Sequence, residues 1–208
     1  NPDEVELFQF IGKDNIPFHT VIFPSSLLGT KENWTTLHHM SSSEYLNYES
    51  GKFSKSKGIG VFGNDVKDTG IPADVWRFYI YYNRPEKSDA MFTWDDFRVR
   101  VNSELIGNLS NLVNRTLTFV SRFYDGKVPD SNNSDVSVPE AEGLIQEITG
   151  HLDRAELKEG LKKILTLSSV GNKAFQDGEP WRTRTSDPDE AAHLLHQPGH
   201  SHHGLLEP

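Results

Sequence analysis

A strand pattern, a helix pattern and a second strand pattern follow one another in residues 1–60 and lead into a loop rich in lysine. Apolar residues predict a first strand over residues 5–11, which Gly12 ends. A helix is expected over residues 17–29, and residues 44–49 predict the next strand. This order is typical of the last βαβ unit of a parallel nucleotide-binding sheet, where ligands bind at the carboxyl ends of the strands.

The loop that follows places Lys52, Lys55 and Lys57 within a few residues, separated by serines and closed by Gly58. Lysine is a compact point charge with three donors, so it can follow phosphate oxygens as bonds rearrange. Ser54 adds a hydroxyl donor, and the glycines allow the backbone to bend around a ligand. The loop therefore predicts contact with a polyphosphate. The alternative is a solvated basic loop.

The segment after the first strand offers several candidate ligand contacts. Gly12 has no side chain, so either an adenosine approaches the backbone closely or the glycine serves only a turn. Asp14 can accept hydrogen bonds from both ribose hydroxyls, or it can cap the following helix. Lys13 is expected to pair with Asp14 or to reach phosphate. His19 faces the same cleft or is a hydrogen-bonded core histidine.

The second half of the chain shows helical periodicity. Helices are predicted over residues 73–82 and 95–124, from Pro139 onwards and around Leu157. Residues 130–138 are polar and predict a solvated loop. An all-helical region is therefore expected to follow the nucleotide-binding part.

Three side chains of this helical region have the chemistry of base recognition. Asn111 and Arg115 are four residues apart and share one helix face. Amide and guanidinium groups suit the Watson–Crick edges of splayed loop bases, and Trp181 offers a flat face for stacking. Spacing alone favours the plainer interpretation, a polar surface pair and a packed tryptophan.

Composition restricts the compartment and the partners. The chain has a net charge of −9, which argues mildly against sequence-blind nucleic-acid binding, although residues 98–127 are locally basic. It has no cysteine, which excludes disulfides and thiolate-bound metals, and a reducing cytoplasm fits best. No apolar run is long enough to cross a membrane. The histidines of residues 193–203 could bind a metal or belong to a disordered end, and we predict no metal site.

At several places the sequence resembles a known family, the methionyl-tRNA synthetases, which are class I aminoacyl-tRNA synthetases, in their eukaryotic cytosolic form. Four segments carry the resemblance: FIGKDNIPFH at 10–19, EYLNYESGKFSKSKGIGVFG at 44–63, GIPADVWRFY at 70–79 and NKAFQDGEPW at 172–181. The lysine loop is then of the KMSKS type, with Phe53 in place of the more familiar methionine.

The resemblance implies an α/β part followed by an all-α part. Residues 1–66 would be the carboxyl-side end of a Rossmann-like catalytic domain, and residues 67–97 a connector that contacts the tRNA stem. Residues 98–195 would be a helical anticodon-binding domain, and residues 196–208 an irregular tail. The implied activity is methionine–tRNA ligation: ATP with Mg²⁺ activates methionine, which is then transferred to tRNA-Met.

The resemblance also assigns roles to single residues. Lys52 and Lys55 would stabilise the transition state of activation. ATP would be bound by Gly12, Asp14, Lys52, Ser54 and Lys55. Asn15 and His19 would line the methionine pocket, and Asn111, Arg115 and Trp181 would read the anticodon.

A HIGH-type element, which a class I synthetase also needs, does not occur in the sequence. We therefore expect a carboxyl-side fragment that works beside an amino-side half of the catalytic domain and leaves apolar surface uncovered without it. A non-catalytic anticodon-binding module is the alternative. Membership of a multi-synthetase complex is left open, and no membrane partner is expected.

Overall fold

The computed structural model describes residues 1–49, 51–129 and 139–196. The predicted loop at 130–138 and the tail beyond residue 196 lie outside the described residues. Contacts group the chain into two compact units, one of residues 1–98 with 154–158 and one of the described residues of 99–153 and from 159 onwards. In the described part of the chain, no helix combines the length and apolar character that crossing a bilayer requires.

The first hundred residues contain strands, α-helices and short helical turns. The strands are β1 (Leu7–Gly12), β2 (Leu37–Ser43), β3 (Leu46–Tyr48) and β4 (Ala90–Phe92), and the α-helices are α1 (Phe23–Thr30), α2 (Ala73–Tyr82) and α3 (Trp94–Arg100). The 3₁₀ turns are Pro2–Glu4, Lys13–Asn15, Lys55–Lys57 and Val66–Thr69, and a π-helical turn covers Phe18–Ile22.

The strand β1 forms a βαβ unit with β2, and the two strands run parallel from the pair Leu7–Leu37 to the pair Gly12–Ser43. The βαβ prediction is therefore correct in form, but its second strand is β2, which the sequence analysis missed. The sequence Leu-His-His-Met-Ser-Ser-Ser has little β-propensity of its own. Pairing with β1 specifies this strand, and such pairing is not visible in a local pattern.

The predicted strand at residues 44–49 exists as the shorter β3, but it belongs to a different sheet. It pairs in parallel with β4, from Leu46–Ala90 to Tyr48–Phe92. The lysine loop thus follows a strand of the second small sheet, whereas Gly12 ends a strand of the first. Because β4 is only three residues long and follows a turn, its sequence gave no strand signal.

The helix expected over residues 17–29 is a π-helical turn that continues into α1. It ends one residue later than predicted, and Lys31 adopts a left-handed conformation with φ of 60°. A hydrogen bond from the Lys31 backbone N–H to the Leu28 carbonyl closes the helix end. A lysine therefore takes the capping position that Gly29 was expected to hold.

The core of the first unit is a cluster of aromatic rings centred on Phe92. The ring of Phe92 stacks on Tyr48 and Trp76, with centroid distances of 5.4 and 6.0 Å, and meets Tyr79 edge-on at 5.5 Å. Trp94 and Phe97 complete the cluster at 5.2 and 5.8 Å from Phe92. Aromatic pairs of this kind add about 0.5–1.5 kcal/mol each to the burial of their surface.

The buried end of Tyr79 is satisfied by polar partners. Its hydroxyl donates to Asp96 Oδ2 at 2.8 Å and accepts from Asn83 Nδ2 at 3.3 Å. Burial, the hydrogen bond to Asp96 and the charge of Asp96 all raise the pKa of Tyr79. The tyrosine is therefore locked in its neutral form and ties α2 to α3.

Several large apolar side chains near the start of the first unit are exposed. On β1, exposed Phe8 and Phe10 alternate with half-buried neighbours. The helical segment that follows exposes more apolar residues: Phe18, Val21, Ile22, Phe23 and Leu28. This exposure agrees with the uncovered apolar surface expected from the sequence, because a soluble domain normally buries such a patch.

The second unit is helical throughout its described residues. Its elements are a π-helical stretch (Val101–Ser110), α4 (Asn111–Phe123), α5 (Pro139–Asp153), α6 (Leu157–Asp177), α7 (Pro180–Ser186) and α8 (Pro188–His196). The helix predicted over 95–124 thus exists, but ten of its residues have π geometry, which is rare and often found at functional sites.

The core of the second unit joins three helices. Phe119 and Val120 of α4 pack with Phe175 of α6 and Leu195 of α8. The rings of Phe119 and Phe175 meet at 90° with centroids 5.8 Å apart. These contacts fix the faces of α4 and α6 that carry the polar residues described below.

The lysine loop is closed by its own backbone and by one aromatic side chain. Ser54 and Ile59 exchange two hydrogen bonds of 2.9 Å, which bring the loop ends together. Phe53 lies 5.2 Å from Tyr48 and 6.2 Å from Phe62, centroid to centroid, and so anchors the loop to the aromatic cluster. Its ring lies directly over Gly60, where a Cβ would come within 2.2 Å of the Phe53 ring.

Replacement of Gly60 by alanine should open this loop. Gly60 has φ of 124°, so a Cβ would be strained by the backbone as well as blocked by Phe53. We expect Gly60→Ala to increase the rate of tryptic cleavage after the loop lysines by roughly tenfold, since about 1–3 kcal/mol of strain would favour the open loop. Gly63→Ala is the control, because its Cβ would meet nothing within 4 Å. Equal cleavage of both variants would contradict the packing role of Phe53.

Candidate functional site

Asp14 and Lys52, two residues predicted to contact ATP, both lie next to Tyr45. The Tyr45 hydroxyl donates a hydrogen bond to Asp14 Oδ2. The Nζ atom of Lys52 lies 5.3 Å from the centroid of the Tyr45 ring, within the range of a cation–π contact. The hydrogen bond to Asp14 is the main reason that the pKa of Tyr45 is raised. One side chain therefore links the end of β1 to the start of the lysine loop.

Lys13 also lies next to Tyr45 and is held there by carboxylates. Its Nζ atom pairs with Glu44 and lies 3.6 Å from Asp89 Oδ1 and 4.3 Å from the centroid of the Tyr45 ring. The hydrogen bond to Glu44 contributes most to raising the pKa of Lys13. The sequence allowed a pairing of Lys13 with Asp14 or a reach to phosphate, and the structure instead pairs Lys13 with Glu44 and Asp89.

Gly12 is exposed at the carboxyl end of β1 and has φ of −78°. A Cβ at this position would meet nothing within 4 Å. Neither the backbone conformation nor the packing of the described residues therefore requires glycine here. An open backbone of this kind leaves room for the close approach of a ligand.

Asn15 and His19 follow in the next two turns. Asn15 is exposed at the end of the 3₁₀ turn, and His19 is half-buried in the π-helical turn. The Nδ1 atom of His19 lies 2.9 Å from Gln9 Oε1, so the ring is oriented from the adjacent strand β1. This contact gives one ring nitrogen a polar partner, but the ring is half-buried and not in the core, so the role of His19 stays a prediction.

The remaining loop residues are arranged around a single 3₁₀ turn. Lys55 and Lys57 are exposed within the turn, and Gly58 ends it with φ of 63°. Ser54 is half-buried, and its Oγ lies 3.4 Å from Ser56 Oγ. Lys52, Lys55 and Lys57 form no ion pair with a described residue, so their charges are available to an anionic ligand.

Within the described residues, no group of three or more side chains could hold a metal ion. The histidines beyond residue 196 lie outside them.

The second candidate site lies wholly within the second unit, where Arg115 and Trp181 both lie near Phe175. The Arg115 guanidinium carbon lies 4.7 Å from the centroid of the Phe175 ring, and the Trp181 ring lies 6.1 Å from the same ring. Trp181 is 37% exposed, so part of its face is open to solvent. The fold thus brings Arg115 of α4 and a partly exposed tryptophan of α7 to the same aromatic ring.

Polar side chains of α6 orient the pair on α4. Asn111 Nδ2 donates to Asn172 Oδ1, and Arg115 Nη2 donates to Gln176 Oε1, both at 3.1 Å. Asn172 Nδ2 in turn donates to the Asn108 carbonyl at 2.9 Å. Because arginine carries five N–H donors, Arg115 keeps free donors after this contact.

The residues that connect the predicted ones were not recognisable in the sequence. Tyr45, Glu44, Asn172 and Gln176 all lie in the segments that carry the family resemblance, but none had a recognisable spacing of its own. Asp89 lies outside those segments and accepts from the Tyr45 backbone N–H at 3.0 Å. These contacts join residues distant in sequence, so only the fold identifies them.

Comparison with known proteins identifies the family. A family model described as tRNA synthetases class I (M) matches residues 1–117. The chain therefore belongs to the class I tRNA synthetases of this family.

Among its relatives, a methionine–tRNA ligase of Treponema denticola is 62% identical over 204 residues. Those of Borrelia hermsii and Treponema pallidum are 58% and 52% identical over 195 and 205 residues. The alignments cover 93%, 94% and 93% of this chain but 26%, 27% and 25% of the relatives. The chain thus spans about a quarter of the length of the curated relatives it matches.

Solved structures support the fold. A Mycobacterium tuberculosis methionyl-tRNA synthetase bound by methionyl-adenylate matches with a TM-score of 0.75 and 22% identity, over 92% of this chain and 38% of that one. The apo form of the enzyme matches with a TM-score of 0.72, 22% identity and the same coverage. The three relatives above are spirochaete proteins, so the assignment to the eukaryotic cytosolic form is not supported and is corrected here to a bacterial affinity.

Replacement of Asp14 by asparagine should lower the pKa of Tyr45 towards its ordinary value of about 10. The amide lacks the charge that holds the phenol proton. Since the folded-state pKa is raised, the stabilisation from this contact is complete below pH 10 and is lost as the pH rises through the raised pKa. Tyrosinate absorbance, compared with Tyr45→Phe to identify the signal, measures the shift. An unchanged titration of Tyr45 in Asp14→Asn would contradict the hydrogen bond.

Proposed function

We propose that the chain contributes to a methionine–tRNA ligase, which activates methionine with ATP and transfers it to tRNA-Met. The juxtaposition of Asp14 and Lys52 at Tyr45 carries this proposal, because it joins a ribose acceptor to a phosphate-binding loop. The names of the relatives support methionine as the amino acid.

In the proposed activation step, the methionine carboxylate attacks the α-phosphate of ATP and pyrophosphate leaves. Gly12 allows the adenosine to approach the backbone, Asp14 accepts from the ribose hydroxyls, and Asn15 and His19 border the methionine. Lys52, Ser54 and Lys55 bind the phosphates, and the two lysines offset the charge that develops in the transition state. Magnesium enters with ATP as part of the substrate. No general base is needed, so the protein mainly positions the reacting groups.

We also propose that activity requires the amino-side half of the catalytic domain, which would supply the HIGH-type element. The exposed apolar residues of β1 and the following helical segment support this partner, since their burial would stabilise the complex. The relatives are about four times as long as the matched region, which leaves ample sequence for such a half.

For tRNA, we propose that Asn111 and Arg115 contact base edges of the anticodon and that Trp181 stacks on a base. The positions of Arg115 and Trp181 around Phe175 and the partial exposure of Trp181 support this role. These residues belong to one unit, which also favours a second candidate function: a tRNA-binding module without catalysis.

Methionine-dependent ATP–pyrophosphate exchange separates the two functions. The assay is run with the chain alone and with a supplied amino-side half. Exchange in the mixture supports the ligase. No exchange in either sample, with retained binding of an anticodon stem-loop of tRNA-Met, would favour the binding module instead.

Lys55→Ala should reduce the exchange rate of the active mixture by about a hundredfold, in line with the loss of one preorganised charge at the transition state. Methionine affinity should change little. Lys57→Ala is the matched control, because Lys57 is exposed in the same turn and its replacement removes the same charge. Equal losses of rate in the two variants would point to a general charge effect.

Trp181→Ala should weaken binding of the anticodon stem-loop by about tenfold or more, since base stacking on an aromatic residue contributes about 1–3 kcal/mol. ATP–pyrophosphate exchange should be unaffected. Trp181→Phe, which keeps a stacking face, should retain most of the binding, and Trp34→Ala removes a 48% exposed tryptophan of the first unit as a control. Loss of exchange in Trp181→Ala would argue against a role confined to the anticodon.

A further inference from the structure

Tyr45 touches both parts of the proposed nucleotide site, but neither its chemistry nor its spacing marked it in the sequence. We propose that Tyr45 is a positioning residue: its hydroxyl orients the Asp14 carboxylate for the ribose, and its ring holds Lys52 at the base of the phosphate-binding loop. This inference rests on the proposed function, because it deepens the account of the same ATP site.

The hydroxyl acts on a carboxylate that is otherwise free to rotate. Asp14 is exposed, and the terminal torsion of an aspartate side chain is broad. The hydrogen bond from Tyr45 to Oδ2 fixes the plane of the carboxylate. A carboxylate offers about four acceptor positions, so one bond to Tyr45 leaves enough for both ribose hydroxyls. Tyr45 therefore prepares Asp14 for the ribose without competing with it.

The ring acts on a lysine that has no carboxylate partner among the described residues. Lys13 and Lys52 both lie near the ring, at 4.3 and 5.3 Å from its centroid. Lys13 is neutralised by Glu44 and Asp89, whereas Lys52 is not. A cation–π contact is weak enough to be exchanged for a phosphate, so the ring can hold the Lys52 ammonium near the nucleotide until the phosphates arrive.

The backbone of Tyr45 is itself fixed, which a positioning residue requires. Its N–H donates to Asp89 Oδ1 at 3.0 Å, and its carbonyl accepts from the Ala90 N–H at 2.9 Å. The bond from the Tyr45 N–H is the main reason that the pKa of Asp89 is lowered. The preceding residue, Glu44, is bonded to Lys13. The backbone of Tyr45, just before β3, is thus fixed to the residues at the start of β4. Its side chain meanwhile reaches the proposed nucleotide site.

The test compares the binding of three ligands to the full chain mixed with the supplied amino-side half: ATP, 2′,3′-dideoxy-ATP and adenosine, all with magnesium present. The ratio of ATP to 2′,3′-dideoxy-ATP affinity measures the ribose contact, and the ratio of ATP to adenosine affinity measures the phosphate contact. Tyr45→Phe removes only the hydroxyl, and Tyr45→Leu removes the ring as well. Tyr81→Phe is the control, because Tyr81 is a 46% exposed tyrosine of α2.

Tyr45→Phe should reduce the ribose ratio by about five- to tenfold, the effect of losing one hydrogen bond of ordinary net strength. It should leave the phosphate ratio unchanged. In a chain that already carries Asp14→Asn, adding Tyr45→Phe should cause no loss of the ribose ratio beyond that of Asp14→Asn alone, because Tyr45 acts through Asp14. Tyr45→Leu should reduce both ratios. A merely structural role would weaken all three ligands alike and leave both ratios as they are.

The outcomes separate this inference from the function on which it rests. If the unsubstituted chain prefers ATP to 2′,3′-dideoxy-ATP and Tyr45→Phe keeps the full preference, the inference is overturned and the nucleotide site stands. A uniform loss with all ligands overturns it as well. If the unsubstituted chain itself shows no preference for the ribose hydroxyls, the proposed role of Asp14 fails and the inference fails with it.

Discussion

The packing of aromatic rings around Phe92 is the interaction on which the first unit depends. Phe92 lies on β4, whose pairing with β3 places Tyr48 against it and, through Tyr48, the loop residue Phe53. The lysine loop thus begins from a packed aromatic base, although its charged residues are exposed. Rigid support beneath mobile charged side chains is what a phosphate-binding loop needs, because the lysines can move without moving the backbone they start from.

In the second unit, Phe175 has the corresponding role. One side of the ring packs in the core against Phe119, while Arg115 and Trp181 gather around its remaining surface. The hydrogen bonds from Asn111 and Arg115 to α6 then set the direction of each side chain. Core packing and the candidate RNA contacts therefore share Phe175. A substitution that shifts this ring in the core would also displace Arg115 and Trp181.

Some elements were predictable because a local pattern specifies them. The helix over residues 73–82 was predicted with its observed bounds, since proline and glycine precede it and its apolar residues follow the helical period. The strand β2 was missed because its histidines and serines carry no strand pattern, and its pairing with β1 decides its structure. The π-helical stretch before Asn111 was also missed, because apolar residues four apart fit an α-helix nearly as well.

The sequence by itself determined the alternation of strand and helix, the helical second half and the lysine loop, because each depends on residues close together in the chain. It also supplied the candidate residues, whose roles came from a family resemblance. Only the tertiary structure decided which strands pair, that Lys13 binds Glu44 and Asp89, and that Tyr45 connects Asp14 with Lys52. Apart from the contact of Tyr45 with Lys52, these contacts join residues some thirty to seventy-six positions apart, and no local pattern encodes which of the possible partners a side chain will meet once the chain has folded.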